Sequence, residues 1–243
     1  MATLGTSPIG IVSGSGIDLR GLLDEAWSEQ HFAERDNLAK GSVEGHACKF
    51  VRGKCANREV LLQCGRLHAY EGLDCAAVAR PVDVLHAQGV RTVVLTNAVG
   101  GLRPEMAPGD LVAADAIKPW PLLRFPLPES IAPDFVVPGC DFVGPYMWMP
   151  GPAYETRAEI AMLGRLGGAV VGMSAAPEVL RCQELGMRAA VISCVTNSCC
   201  RPQILTHEHV IETAQRASGK LVGLLRAAVE KGEWRKDLNS TRS

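Results

Sequence analysis

Short apolar runs broken by polar and glycine-rich stretches recur along the chain, and their lengths and periods predict alternating strands and helices. Ile9 to Val12 is a strand that runs into Ser13-Gly14-Ser15-Gly16, with a helix predicted behind it over Leu19 to Trp27. Two strands follow at His46 to Arg52 and Glu59 to Cys64, joined by a polar turn at Gly53 to Arg58. Val78 to His86 reads as a helix with Pro81 near its start and Gly89 at its end. The β-branched run Arg91 to Thr96 is a buried strand, after which Gly100-Gly101 signals a turn. Asp110 to Ile117 is another strand.

From Lys118 to Pro150 eight prolines deny regular structure. Trp120, Phe125, Phe135, Phe142 and Trp148 argue that this stretch is an ordered lid or a subunit contact, buried by ligand or by a second chain. Thr156 to Leu166 is an amphipathic helix, Gly168 to Gly172 an apolar segment, and Glu178 to Leu185 a helix opened by Pro177. Ala189 to Val195 is the last core strand and Thr206 to Glu230 a long terminal helix, followed by a polar tail over 234–243 expected to fray. This alternation predicts an α/β fold, a single domain over 1–243 with a central mixed, mainly parallel sheet flanked by helices. In an open sheet of that kind the strand ends line the ligand crevice.

Composition narrows the function. A net charge of −1 offers no basic face for nucleic acid. No apolar run reaches the roughly 18 residues of a membrane span, and the N-terminus carries no export signal, so a cytoplasmic protein is expected. In that setting the nine cysteines are expected to be reduced. Cys48, Cys55, Cys64 and Cys75 lack the close paired spacing of a zinc site.

Candidate chemistry gathers at the ends of the apolar runs. Ser13-Gly14-Ser15-Gly16 can hold an anion with its amides and hydroxyls, yet alone it fits a plain turn equally well. Arg66 and His68 stand two apart and in extended chain share a face, which suits an oxyanion. Taken alone, the plainer reading is a surface turn with an exposed arginine. The amide of Ala98 can face a ligand. Between Gly151 and Asn197 the chain supplies Tyr154, Glu155, Met173, Ser174 and Asn197 at successive element ends: an aromatic face, a carboxylate, a hydroxyl and an amide for one pocket. Read singly, Met173 fits packing, Tyr154 a core aromatic, His46 a surface histidine, and Glu159 and Glu178 helix-start carboxylates.

The ordered set of motifs resembles the trimeric purine nucleoside phosphorylases. It comprises Ser13-Gly14-Ser15-Gly16, Gly45-His46-Ala47, Gly65 to Gly72 (Gly-Arg-Leu-His-Ala-Tyr-Glu-Gly) and Thr96 to Gly101. Gly151 to Thr156, Gly172-Met173-Ser174, Pro177-Glu178-Val179, Thr196-Asn197 and His207-Glu208 complete it, so the resemblance spans roughly Ile9 to Leu225. It implies the nucleoside phosphorylase fold, a homotrimer, and a reaction of purine nucleoside with inorganic phosphate as co-substrate, with no metal or organic cofactor. It further implies that Ser15, His46, Arg66, His68, the Ala98 amide and Ser174 bind phosphate, and that Tyr70, Met173 and His207 contact ribose. Tyr154 would stack on the base, Glu155 and Asn197 would bind it, and Glu71 would orient His68.

The preferred nucleosides under this resemblance are 6-oxopurine ones. The alternative is a methylthionucleoside phosphorylase, against which the polar His207 stands. A non-enzymatic nucleoside-binding protein is the third reading. The chain departs from the family pattern at Asp18, Val99, Ala116 and Lys118, and its 118–150 loop is shorter than in the mammalian branch. Ser198, Cys199 and Cys200 sit beside the base, where they bear on specificity.

Overall fold

The computed structural model describes residues 7–35, 38–41, 47–121, 126–201 and 207–232. Among these residues nine strands and four α-helices run β1 (Ile9–Ser13), β2 (Glu25–His31), β3 (Lys49–Cys55), β4 (Arg58–Cys64), α1 (Cys75–Ala87), β5 (Thr92–Gly101), β6 (Leu111–Pro119), β7 (Phe142–Trp148), α2 (Arg157–Arg165), β8 (Val170–Gly172), α3 (Ala176–Glu184), β9 (Arg188–Ser198) and α4 (His207–Lys231). The sheet order is β2-β3-β4-β1-β5-β8-β7-β6-β9, and β9 also pairs with β5. Strands β5, β8, β7, β6 and β9 therefore form a closed circuit, and the sheet is partly closed where an open one was expected.

β4, β1, β5 and β9 pair in parallel, which brings their C-terminal ends to one side. β9 is covered on both faces, and this explains its largely apolar run from Ala189 to Val195, in which Ser193 is buried as well. Ala189, Val191 and Val195 face one core with α1 and α3 residues such as Leu85 and Val179. Ala190, Ile192 and Cys194 alternate into a second core with Leu221 and Leu225 of α4. At the site end, Thr96 donates its hydroxyl proton to the Val12 carbonyl at 2.9 Å, and the Gly65 amide donates to Ser13 Oγ at 3.2 Å. β1, β4 and β5 are thus laced together beside the site.

Four expectations are corrected. Leu19 to Trp27 is a single 3-10 turn at Arg20–Leu22 followed by edge strand β2, held by pairing with β3 and by the Asp24–Arg226 ion pair. Pro81 lies inside α1, whose N-cap Asp74 accepts from the Ala77 amide at 2.7 Å. Gly100 and Gly101 continue β5, pairing with both β8 and β9. The proline-rich stretch contains β7, in which Pro145 occupies a shift in register against β6. Its Phe135 and Trp148 are buried in the chain's own interior, so they do not call for a second subunit to cover them.

Candidate active site

The site begins where β4 ends. Gly65 takes a positive φ of 88°, and the chain turns Arg66 inward to 1% exposure. The reading of Arg66 as an exposed surface arginine is therefore wrong. Its guanidinium Nη1 donates to Ser174 Oγ at 2.8 Å, and its Nε lies 3.4 Å from the Glu178 carboxylate, itself 2% exposed. Glu178 also accepts the Ala175 amide at 2.8 Å, so it both caps α3 and balances the buried cation. Ser174 is held further by Tyr146, whose hydroxyl accepts its amide at 3.1 Å, and by Asn97 Nδ2 at 3.4 Å. Ala175, the next residue, has a φ of 72°, a conformation that side-chain-bearing residues adopt at a cost on the order of 1–3 kcal/mol.

His68 follows on the same extended segment. Its backbone N–H donates to Glu71 at 2.7 Å, and its Nδ1 stands 3.4 Å from the same carboxylate oxygen. The His68 ring stacks on Tyr70 with centroids 4.7 Å apart. Burial pushes the Tyr70 phenol up to about 12, so it is neutral. Gly151 closes against this pair: a Cβ there would lie 2.8 Å from Tyr70 Cδ1 and would also strike Met173 Sδ. Gly14 serves a similar end in the first loop, where a Cβ would meet Asn97 Cα at 2.8 Å.

Asn197 stands at the far end of β9, 7% exposed. β9 carries one extra residue, Thr196, opposite the Val99–Gly100 step of β5. Such a bulge re-aims the following side chain. The Thr196 hydroxyl stands 3.2 Å from both the Val99 carbonyl and Asn197 Oδ1, either of which can accept its proton, and Asn197 Nδ2 donates to Cys199 Sγ at 3.6 Å. Glu155 precedes α2, whose N-cap Thr156 accepts the Glu159 amide at 3.3 Å. Burial raises the Glu155 carboxyl above its ordinary 4.5. Tyr154 remains 43% exposed at the mouth.

One cavity of about 1090 Å³ is lined by Ser15, Arg66, His68, Tyr70, Ala98, Tyr154, Glu155, Met173, Ser174 and Asn197; within it Arg66 contacts Ser174 and Asn197 contacts Cys199. His46 and the side chain of His207 lie outside the described residues. Among the described residues no cluster of three or more His, Cys, Asp or Glu could hold a metal ion, and no helix is long and apolar enough to cross a membrane.

Three supporting residues escaped the sequence reading. Asn97 follows the run Arg91 to Thr96 as Asn197 follows Ala189 to Val195, and the same rule would have found it. Tyr146 sits in a period-two pattern with Gly144 and Trp148, obscured by the surrounding prolines. Glu178 is indistinguishable by sequence from any helix-start carboxylate, since Arg66 lies more than a hundred positions away.

The chain is similar to known proteins over most of its length. The family model of the phosphorylase superfamily matches residues 8–128 and 142–230. Purine nucleoside phosphorylase 1 of Geobacillus stearothermophilus is 34% identical, over 92% of this chain and 91% of its own length. The Bos taurus purine nucleoside phosphorylase is 31% identical, over 91% and 89%. A Schistosoma mansoni purine nucleoside phosphorylase solved in complex with inosine superposes with a TM-score of 0.78 at 25% identity, over 97% of this chain and 93% of that one. An isoform 2 structure from the same organism, with cytosine and ribose-1-phosphate, gives 0.77 at 26% identity, over 93% and 90%.

Proposed function

Because the chain belongs to the phosphorylase superfamily, and within it to the purine nucleoside phosphorylases, we propose that it cleaves 6-oxopurine nucleosides such as inosine and guanosine with inorganic phosphate, giving free base and ribose 1-phosphate. The observation that carries this reading is that one cavity is lined by two unlike sets of groups: a buried arginine hydrogen-bonded to a serine hydroxyl, with an imidazole, and a side-chain amide with a carboxylate.

Arg66, His68, Ser15, Ser174 and the Ala98 amide hold the phosphate, with His46 as a further ligand. Glu178 and Tyr146 keep Arg66 and Ser174 in place. Tyr70 and Met173 face the ribose, with His207 as a further contact that the resemblance implies, and Tyr154 stacks on the base. Glu71 orients His68. Breaking the glycosidic bond leaves positive charge on the sugar and negative charge on the purine, so the phosphate lies under the first and donors face the second. Asn197 donates its amide to N7 of the departing base, and a Glu155 carboxyl oxygen accepts the ring N–H of a 6-oxopurine. The proton that Glu155 accepts in hydrogen bonding is present on a 6-oxopurine and absent from that position of adenine, which favours the former.

The active species is a homotrimer, as the resemblance implies, in an assembly closed by rotational symmetry. Sedimentation at working concentration tests this, and a fully active monomer would end it. Substrate class is tested by comparing kcat/KM for inosine, guanosine, adenosine and 5′-methylthioadenosine. Inosine and guanosine should lead; equal use of either 6-amino nucleoside would overturn the 6-oxopurine assignment.

A further inference from the structure

Beside Asn197 the cavity is lined by Cys199, to which the proposed reaction assigns no contact. Its Sγ accepts from Asn197 Nδ2 at 3.6 Å, and it lines the same cavity as Glu155. Room for the thiol is made by the missing side chain of Gly100: a Cβ there would stand 2.5 Å from Cys199 Sγ and 3.3 Å from Asn197 Nδ2. β5 therefore recedes where the sulfur sits. Burial, followed by the charge of Glu155, raises the thiol to about 12, so the group presented to the cavity is the neutral S–H.

Along one edge of a purine the order of atoms is N7, the substituent on C6, then ring N1. With Asn197 at N7 and Glu155 at N1, a group that neighbours both meets the C6 substituent. We propose that Cys199 is a specificity-determining residue whose thiol faces the 6-position of the bound purine, an inference that rests on the assignment of Asn197 and Glu155 to the base. A thiol is a weak donor through S–H and a weak acceptor through sulfur. It meets a 6-oxo or a 6-amino group with similar ease, so it leaves discrimination to its two neighbours. A group of fixed hydrogen-bonding sense in its place takes that discrimination over.

The test compares wild-type protein with Cys199→Asp and Cys199→Ser. The aspartate can only accept when ionised, so the ratio of adenosine to inosine kcat/KM should rise by about tenfold or more, the effect of one charged hydrogen bond gained against one opposed. Serine, which both donates and accepts, should keep the ratio within about threefold. A second measurement needs no substitution: slow alkylation of the wild-type protein by a maleimide at alkaline pH, with peptide mass spectrometry. Hypoxanthine should slow labelling of Cys199 and leave that of Cys75, at the start of α1 and outside the cavity, unchanged. An active wild type with an unmoved ratio in an active Cys199→Asp variant, or with Cys199 unprotected by hypoxanthine, overturns the inference and spares the assigned reaction. A wild type that releases base from no nucleoside overturns both.

Discussion

Replacing Arg66 with alanine separates the two tasks that its burial combines. The guanidinium is 1% exposed and faces Glu178, which is 2% exposed, while one nitrogen donates to Ser174. Removing one partner of a buried ion pair costs about 3–5 kcal/mol because the other charge stays uncompensated. That is a large share of the roughly 5–15 kcal/mol of a typical domain. Losing a charge-assisted contact to phosphate costs about 1.5–3 kcal/mol, or about 10- to 150-fold in phosphate KM. Arg66→Ala should therefore lower the melting temperature and raise phosphate KM together. Arg66→Ala with Glu178→Gln should recover part of the stability and none of the phosphate affinity, since the second change removes the stranded carboxylate without restoring the cation. Thermal melts and phosphate titrations at saturating inosine, on both variants, provide the check. Unchanged phosphate handling with collapsed nucleoside binding would refute the assignment of Arg66 to the anion.

Asn197→Asp should cut inosine turnover on the order of 10²- to 10³-fold, as loss of a donor to developing negative charge does, and should shift preference toward adenosine; an unchanged ratio of the two substrates refutes the contact. Because the Glu155 carboxyl is raised above 4.5 by burial, hypoxanthine affinity should fall as pH drops through that raised value, and Glu155→Gln should remove the dependence; a pH-independent wild type contradicts this. The sign for stability is opposite: a folded-state pKa above the unfolded one means that stability falls as pH rises through it, so Glu155→Gln should melt higher than wild type at neutral pH. Gly100→Ala drives a methyl toward Cys199 Sγ and Asn197 Nδ2 and should lower kcat/KM on the order of 10²-fold by misplacing the amide while far-UV circular dichroism stays the same; full activity would show that Asn197 tolerates the displacement.

Much of this architecture is legible in the sequence where a local pattern coincides with a tertiary need. The apolar run at Ala189–Val195, interrupted by Ser193 alone, is legible because β9 is buried on both faces. The N-cap Thr156 and its partner Glu159 mark α2 by a capping box that local chemistry alone decides. Glu25 to Trp27, the start of β2, fall in the stretch whose sequence suits a helix, and pairing with β3 makes this almost wholly exposed segment a strand. β7 was missed because Pro145 suppresses a strand signal, yet its place at a register shift spares the ladder the missing N–H. In the site, polar residues at strand ends could be found, whereas Glu178 and Tyr146 act on Arg66 and Ser174 across the fold. The closed circuit of five strands likewise depends on the long-range β5–β9 and β6–β9 pairings, which no local periodicity encodes.

The central claim is that the arginine set of groups in the cavity holds the attacking phosphate while the asparagine set receives the departing purine. Following inosine by phosphorus NMR and by ultraviolet absorbance, with and without inorganic phosphate, tests it most directly. The account predicts hypoxanthine and ribose 1-phosphate in equal amounts with phosphate present, and no hypoxanthine without it. Hypoxanthine released equally fast in the absence of phosphate, with free ribose as the other product, would contradict it.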